Sequence, residues 1–104
     1  MPTTIIADRP IDVNDEGFLT NPAQWDETVG TALAKLIGID MTDEHWAVIR
    51  FLRSDFEGRH QTATLRRTST VGGFDIKRLF ELFPGKPAKK MAYIAGLPKP
   101  VGCV

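Results

Sequence analysis

The sequence predicts a mainly α-helical domain: a small bundle with a helix-turn-helix-like element, a short amino-terminal β-hairpin, and an extended, mobile carboxyl-terminal arm. Three observations predict it. Apolar residues recur at helical spacing in four stretches after residue 21, β-prone and turn residues crowd the first twenty positions, and the last nine positions hold two alternating prolines without periodicity. A chain of 104 residues, 42% hydrophobic and 25% charged, has room for one core. It divides into a hairpin region (1–20), a helical body (21–95) and the arm (96–104).

Thr3-Thr4-Ile5-Ile6-Ala7 is β-prone, and Ile11, Val13 and Phe18-Leu19 flank the turn-forming Asn14-Asp15-Glu16-Gly17, so short strands around turns are expected. Asn21 before Pro22 reads as a cap with proline at the first helical position. Trp25, Val29, Ala32/Leu33 and Leu36 then keep helical spacing until Gly38. Thr42 caps a second helix whose first turn holds Asp43 and Glu44, whose apolar face is Trp46, Ile49, Leu52 and Phe56, and whose stop is Gly58. Residues 62–71 read as a short helix or a loop, because Thr62, Thr64, Thr68, Ser69 and Thr70 weaken helix propensity around a single Leu65. Beyond Gly72-Gly73, Asp75 caps a helix over Ile76–Phe83 with Ile76, Leu79, Phe80 and Phe83 on one face and Pro84 as terminator. Pro87 starts a last helix through Ala88, Met91, Ala92 and Ala95, and Gly96 is placed to end it in a left-handed cap.

Composition narrows the function classes. No apolar run approaches the roughly 20 residues that cross a bilayer, and the amino terminus lacks a basic segment followed by a signal-type stretch, so a cytoplasmic protein without membrane association is expected. A lone Cys103 cannot form a disulfide framework, and with only His45 and His60 beside it no metal site is expected, nor any cofactor. The net charge of zero hides an asymmetry. Residues 1–44 hold two basic side chains against nine acidic ones, a balance of −7, and residues 45–104 hold eleven against four, a balance of +7. The basic half can steer toward an acidic partner or nucleic acid, or the halves can simply attract each other on folding.

The arm, Gly96-Leu97-Pro98-Lys99-Pro100-Val101-Gly102-Cys103-Val104, carries the chemistry. Pro98 and Pro100 fix φ and favour an extended conformation, so the segment should project, reaching roughly 28 Å at ~3.1 Å per residue. Gly102 frees the backbone beside the thiol. A thiolate there can attack a sulfane sulfur or a disulfide. The Val104 carboxylate opposes ionisation of Cys103, whereas Lys99, Lys89 or Lys90 would favour it if the tail folds back.

Ala95 through Val104 resembles the carboxyl-terminal signature of the DsrC/TusE family of sulfur-relay proteins. The similarity extends back through Leu79–Lys90, Asp43-Glu44-His45-Trp46 with Val48-Ile49-Arg50, and Asp15–Leu19 before Trp25. The resemblance implies a compact helical domain with a hairpin and a mobile arm whose penultimate cysteine, here Cys103, carries sulfur as a persulfide or as a mixed sulfide. It implies a carrier acting with partners: a TusBCD/DsrEFH-type donor complex, and as acceptor a tRNA 2-thiouridylase or a sulfite reductase. Members serving dissimilatory sulfite reductase have a second cysteine ten residues before the last, where this chain has Tyr93, which favours the TusE-like carrier. The family's longer basic helix and loop are shortened to Gln61–Phe74, within which Arg66 aligns with a family arginine. Lys86, Lys89 and Lys90 then read either as a solvated helix face or as residues that steer partners or stabilise the arm's anionic sulfur.

Other readings compete. Residues 42–71 suit a DNA-binding helix-turn-helix with Arg59, His60, Arg66 and Arg67 near phosphates, but zero net charge and a threonine-rich recognition segment count against direct nucleic-acid binding. A DsrC-like role in sulfur oxidation or sulfite reduction is the other alternative. His45 beside Glu44 invites a general-base reading, but its place at a helix start reads as a packed or capping histidine. Trp25, Trp46, Phe80 and Phe83 read as core.

Overall fold

The computed structural model describes residues 3–100. Strands β1 (Thr3–Ile6) and β2 (Arg9–Asp12) form an antiparallel hairpin in which Thr3 faces Asp12 and Ile6 faces Arg9. Its two-residue turn, Ala7-Asp8, is left-handed at both positions (φ 53° and 62°), the geometry that matches strand twist. The expected turn at Asn14–Gly17 forms as well. The Asn14 carboxamide accepts from the Glu16 and Phe18 amides, and an isolated bridge pairs Val13 with Leu19.

Asn21 and Pro22 start only a single 3-10 turn, Pro22–Gln24, and not the continuous helix expected as far as Gly38. The chain opens out at Trp25, and α1 (Glu27–Leu36) begins anew because the Asp26 side chain accepts from the Val29 amide at 3.0 Å. The Arg9 guanidinium pairs with the same carboxylate at 2.7 Å and, with the Val29 amide, holds it below its ordinary pKa. A second capping residue thus splits the helix and frees Trp25 from it.

Helix α2 (Asp43–Arg59) runs past Gly58, and the left-handed residue that ends it is His60 (φ 57°), whose amide bonds to the Phe56 carbonyl. At its start the Thr42 amide donates to His45 Nδ1 at 3.1 Å, so the ring proton sits on Nε2 and donates to the Leu82 carbonyl at 2.9 Å. His45 is therefore a buried packing and capping residue, as its position suggested.

The threonine-rich stretch forms α3 (Leu65–Thr70). Thr64 caps the Arg67 amide, and Thr68 and Thr70 donate to the Thr64 and Arg66 carbonyls, so the hydroxyls are satisfied within the helix. Arg67 grips the Asp55 carboxylate through two nitrogens and ties α3 to α2. Successive α2 and α3, joined over residues 60–64, make the helix-turn-helix-like element.

In α4 (Ile76–Leu82) the Asp75 side chain makes no capping bond. The buried arc is Leu79 and Leu82, and Phe83, turned off the helix at its end, inserts edge-on against His45 at 5.1 Å. Ile76 and Phe80, expected on the core face, are exposed because that arc is rotated toward Leu82. Helix α5 (Pro87–Ile94) ends as expected. Gly96 is left-handed (φ 69°), its amide bonds to the Tyr93 carbonyl, and the Leu97 amide bonds back to Ala92.

Two apolar clusters fill the body. The larger joins α2, α4 and α5 through Val48, Ile49, Leu52, Leu79, Phe83, Met91 and Ile94, and the smaller joins the hairpin to α1 through Ile6, Ile11, Leu19, Val29 and Leu33. Trp25 and Tyr93 pack against both and so weld them together. No described helix is long and apolar enough to cross a membrane.

Candidate functional site

The arm does not leave the body at residue 96. Gly96, Leu97 and Pro100 are buried, and only Pro98 and Lys99 face solvent along the described part of the arm. Gly102 and Cys103, the residues expected to carry and free the sulfur, lie outside the described residues. What the structure shows is the seat from which the arm departs.

Trp25 is the centre of that seat. Its indole ring lies between two glycines, because a Cβ on Gly30 would sit 2.9 Å from Trp25 Cζ2 and one on Gly96 would sit 2.7 Å from Trp25 Cγ. Its Nε1–H donates to the Ile94 carbonyl at 2.8 Å, satisfying one of the orphan carbonyls at the end of α5. Arg53, projecting from α2, stacks 4.2 Å over the ring centre and donates to the carbonyls of Ala95 (2.6 Å) and Pro22 (2.9 Å). Burial lowers the Arg53 pKa, opposed by Glu57, and the group remains a cation. One guanidinium thus joins the end of α5, the 3-10 turn and the indole.

Two further ties hold the root. Thr62 Oγ1 donates to the Pro98 carbonyl at 2.7 Å, which gives the segment between α2 and α3 a direct purchase on the arm. Lys99 Nζ reaches Glu16 at 3.3 Å, and Lys89 approaches the same carboxylate at 3.6 Å. Lys99 first, with Lys89 behind it, holds the Glu16 carboxyl below the usual carboxylate value.

Beside this tie opens a cleft of about 490 Å³ lined by Glu16, Phe18, Ile37, Gly85, Lys86, Lys89, Lys90 and Tyr93. Tyr93 meets Phe18 edge-on at 5.7 Å, and burial raises its phenol pKa, so the hydroxyl stays protonated. The structure therefore gathers Lys86, Lys89 and Lys90 at one place next to the arm. Arg66 does not join them. It is exposed on α3, and its neighbour Arg67 makes the ion pair. Among the described residues no group of His, Cys, Asp and Glu could hold a metal ion.

Sequence reasoning missed Trp25, Arg53, Thr62 and Glu16 as arm-holding residues. Trp25 carried only a core signal, and the others come to the arm or its root from 36 to 83 positions away along the chain.

Among the described residues a hairpin, five α-helices and the root of an arm seated on Trp25 and Arg53 make up a small, mainly helical fold, and the chain belongs to the DsrC family. The profile described as "DsrC like protein" matches residues 5–104. Among curated relatives, Sulfurtransferase TusE of Yersinia pseudotuberculosis is 35% identical over 103 aligned positions, covering 92% of this chain and 95% of the relative. Sulfurtransferase TusE of Escherichia coli K12 is 34% identical over 107 aligned positions, covering 96% and 98%. Among solved structures, DsrC of Allochromatium vinosum superposes with a TM-score of 0.82 at 35% identity, covering 98% of this chain and 97% of that one.

Proposed function

We propose that this protein is a cytoplasmic sulfur carrier that takes sulfane sulfur as a persulfide on Cys103 and passes it to a partner. The Cys103 thiolate attacks the outer sulfur of a donor persulfide. A new S–S bond forms at Cys103 as the donor's S–S bond breaks, the donor cysteine leaves as a thiolate, and the proton stays on the transferred sulfur. No net oxidation occurs. An acceptor thiolate then repeats the step on Cys103. The donor is a TusBCD/DsrEFH-type complex and the acceptor an enzyme of tRNA 2-thiouridine synthesis.

The observation that carries the reading is the pairing of a single thiol with a phenol at residue 93. The half-buried Tyr93 on α5 offers no second sulfur, so no thiol of the chain can displace the persulfide once it forms. Gly96, Pro98, Lys99 and Pro100 act as the arm's root, Gly102 as its swivel, and Lys86, Lys89 and Lys90 as the charged surface beside it. Arg66 supplies a further exposed cation on α3.

Intact-mass measurement tests this. The wild type should gain one sulfur atom from a sulfane-sulfur donor and lose it to reductant, and Cys103→Ser should keep its fold and gain none. Loading of Cys103→Ser would end the proposal.

A further inference from the structure

We propose that the cleft beside the arm binds an acidic peptide segment of a partner protein, with an apolar side chain seated inside and carboxylates on the lysine rim. Its interior is apolar: Ile37 from the end of α1, Phe18 from the 14–18 turn and the half-buried ring of Tyr93. Its rim is cationic. Lys86, Lys89 and Lys90 face one acid, Glu16, and that acid is already engaged by Lys89 and Lys99. Among the described residues neither Lys86 nor Lys90 is paired with a carboxylate, so two ammonium groups stand ready for an incoming acid. A volume of about 490 Å³ accommodates a large apolar side chain with its flanking backbone.

The same geometry disfavours nucleic acid. Single strands are held by bases stacked on exposed aromatic faces, and here Phe18 is buried while Tyr93 is turned edge-on against it. The Glu16–Lys99 tie places the cleft next to the arm's exit, so a segment bound there brings its protein within reach of the arm. The purpose of that contact rests on the carrier reading, and the binding itself does not.

The test is fluorescence anisotropy on the full chain. The probe is a labelled, end-blocked hexapeptide of two central apolar residues flanked on each side by two acidic ones. Its controls are the Gln/Asn version and a hexauridylate strand. Saturable binding is expected that is absent for the amide version, weakens as salt rises from about 0.05 to 0.5 M, and falls at least about tenfold in the double variant Lys86→Glu/Lys90→Glu. That variant places acids at the start of α5, where the helix dipole favours them, so it should fold, as circular dichroism will report. Three results overturn the proposal: equal or absent binding of the acidic probe to wild type and variant, competition by hexauridylate, or faster alkylation of Cys103 in the free variant, which would mean that the cleft shelters the chain's own end. Sulfur uptake from inorganic polysulfide on the same preparations reports the carrier reading separately, since its failure leaves peptide binding untouched.

Discussion

Gly96→Ala should destabilise the fold far more than Gly38→Ala, although both glycines are left-handed (φ 69° and 75°). Placing an L-residue in that conformation costs about 1–2 kcal/mol at either position. At Gly38 nothing lies within 4 Å of the added methyl group, so the cost ends there. At Gly96 the methyl runs into Trp25, and the indole cannot retreat because the α1 backbone at Gly30 lies behind it. Overpacking of this kind costs about 1–3 kcal/mol. Displacing the ring also forfeits the bond from Nε1 to Ile94, about 0.5–1.5 kcal/mol, and weakens the Arg53 stack, about 0.5–2 kcal/mol. A loss of about 3–8 kcal/mol is expected for Gly96→Ala, against the 5–15 kcal/mol typical of a whole domain. Equilibrium urea unfolding followed by far-ultraviolet circular dichroism measures both variants, and the indole N–H resonance of Trp25 reports whether its bond survives. A cost for Gly96→Ala within about 0.5 kcal/mol of that for Gly38→Ala would refute the rigid seat on which the site is built.

Other expectations follow from individual contacts. His45→Ala removes the ring that joins Thr42 to Leu82 and should cost about 2–4 kcal/mol in urea unfolding, since it leaves the Leu82 carbonyl without its partner and opens a void against Phe83. Thr62→Val, nearly equal in volume, should lower stability by only about 1 kcal/mol yet speed amide exchange at Leu97, whose amide bonds to the Ala92 carbonyl, because the lost bond is the one that holds the adjoining Pro98. Asp55 gives a pH dependence of known sign. Arg67, then Arg59, depresses its folded pKa below the unfolded value of 3.8, so its contribution is in place above that pH and disappears as pH falls through the folded value. Asp55→Asn should therefore flatten the acid limb of a stability–pH curve below about pH 4 while lowering the plateau at neutral pH.

Local signals exposed most of the elements. The cap at Thr42, Pro87 at a helix start and Gly96 at a helix end each act within one turn of their own position, and the helices they bound form where the residues place them; the cap at Thr64 emerges only in the structure, since the same threonines left 62–71 open between helix and loop. The errors came where two local signals competed. Asn21-Pro22 and Asp26 are both good helix starters five residues apart, and the sequence does not rank them. The pairing of Asp26 with Arg9 across the hairpin does. Gly58 looked like a stop, but the carbonyl of Phe56 finds its donor at His60 instead. Ile76 and Phe80 fit a helical stripe, and only the packing of Leu82 against the rest of the core shows the stripe to be turned outward. The site was half legible. The lysines lie within five residues and gather through their own helix, whereas Arg53 and Thr62 find the arm through tertiary structure alone.

The buried Pro100 sets a short leash. Only Val101 and Gly102 separate it from Cys103, and at ~3.3–3.6 Å per residue covalent geometry alone keeps the Cys103 backbone within about 11 Å of the seat, well short of the roughly 28 Å that a free arm from residue 96 would sweep. For the carrier proposed above, this tether would bring the donor and acceptor cysteines into the same small volume, which two proteins cannot occupy together, so transfer on that reading is sequential by exclusion: the protein that delivers sulfur has to leave before the one that receives it can approach.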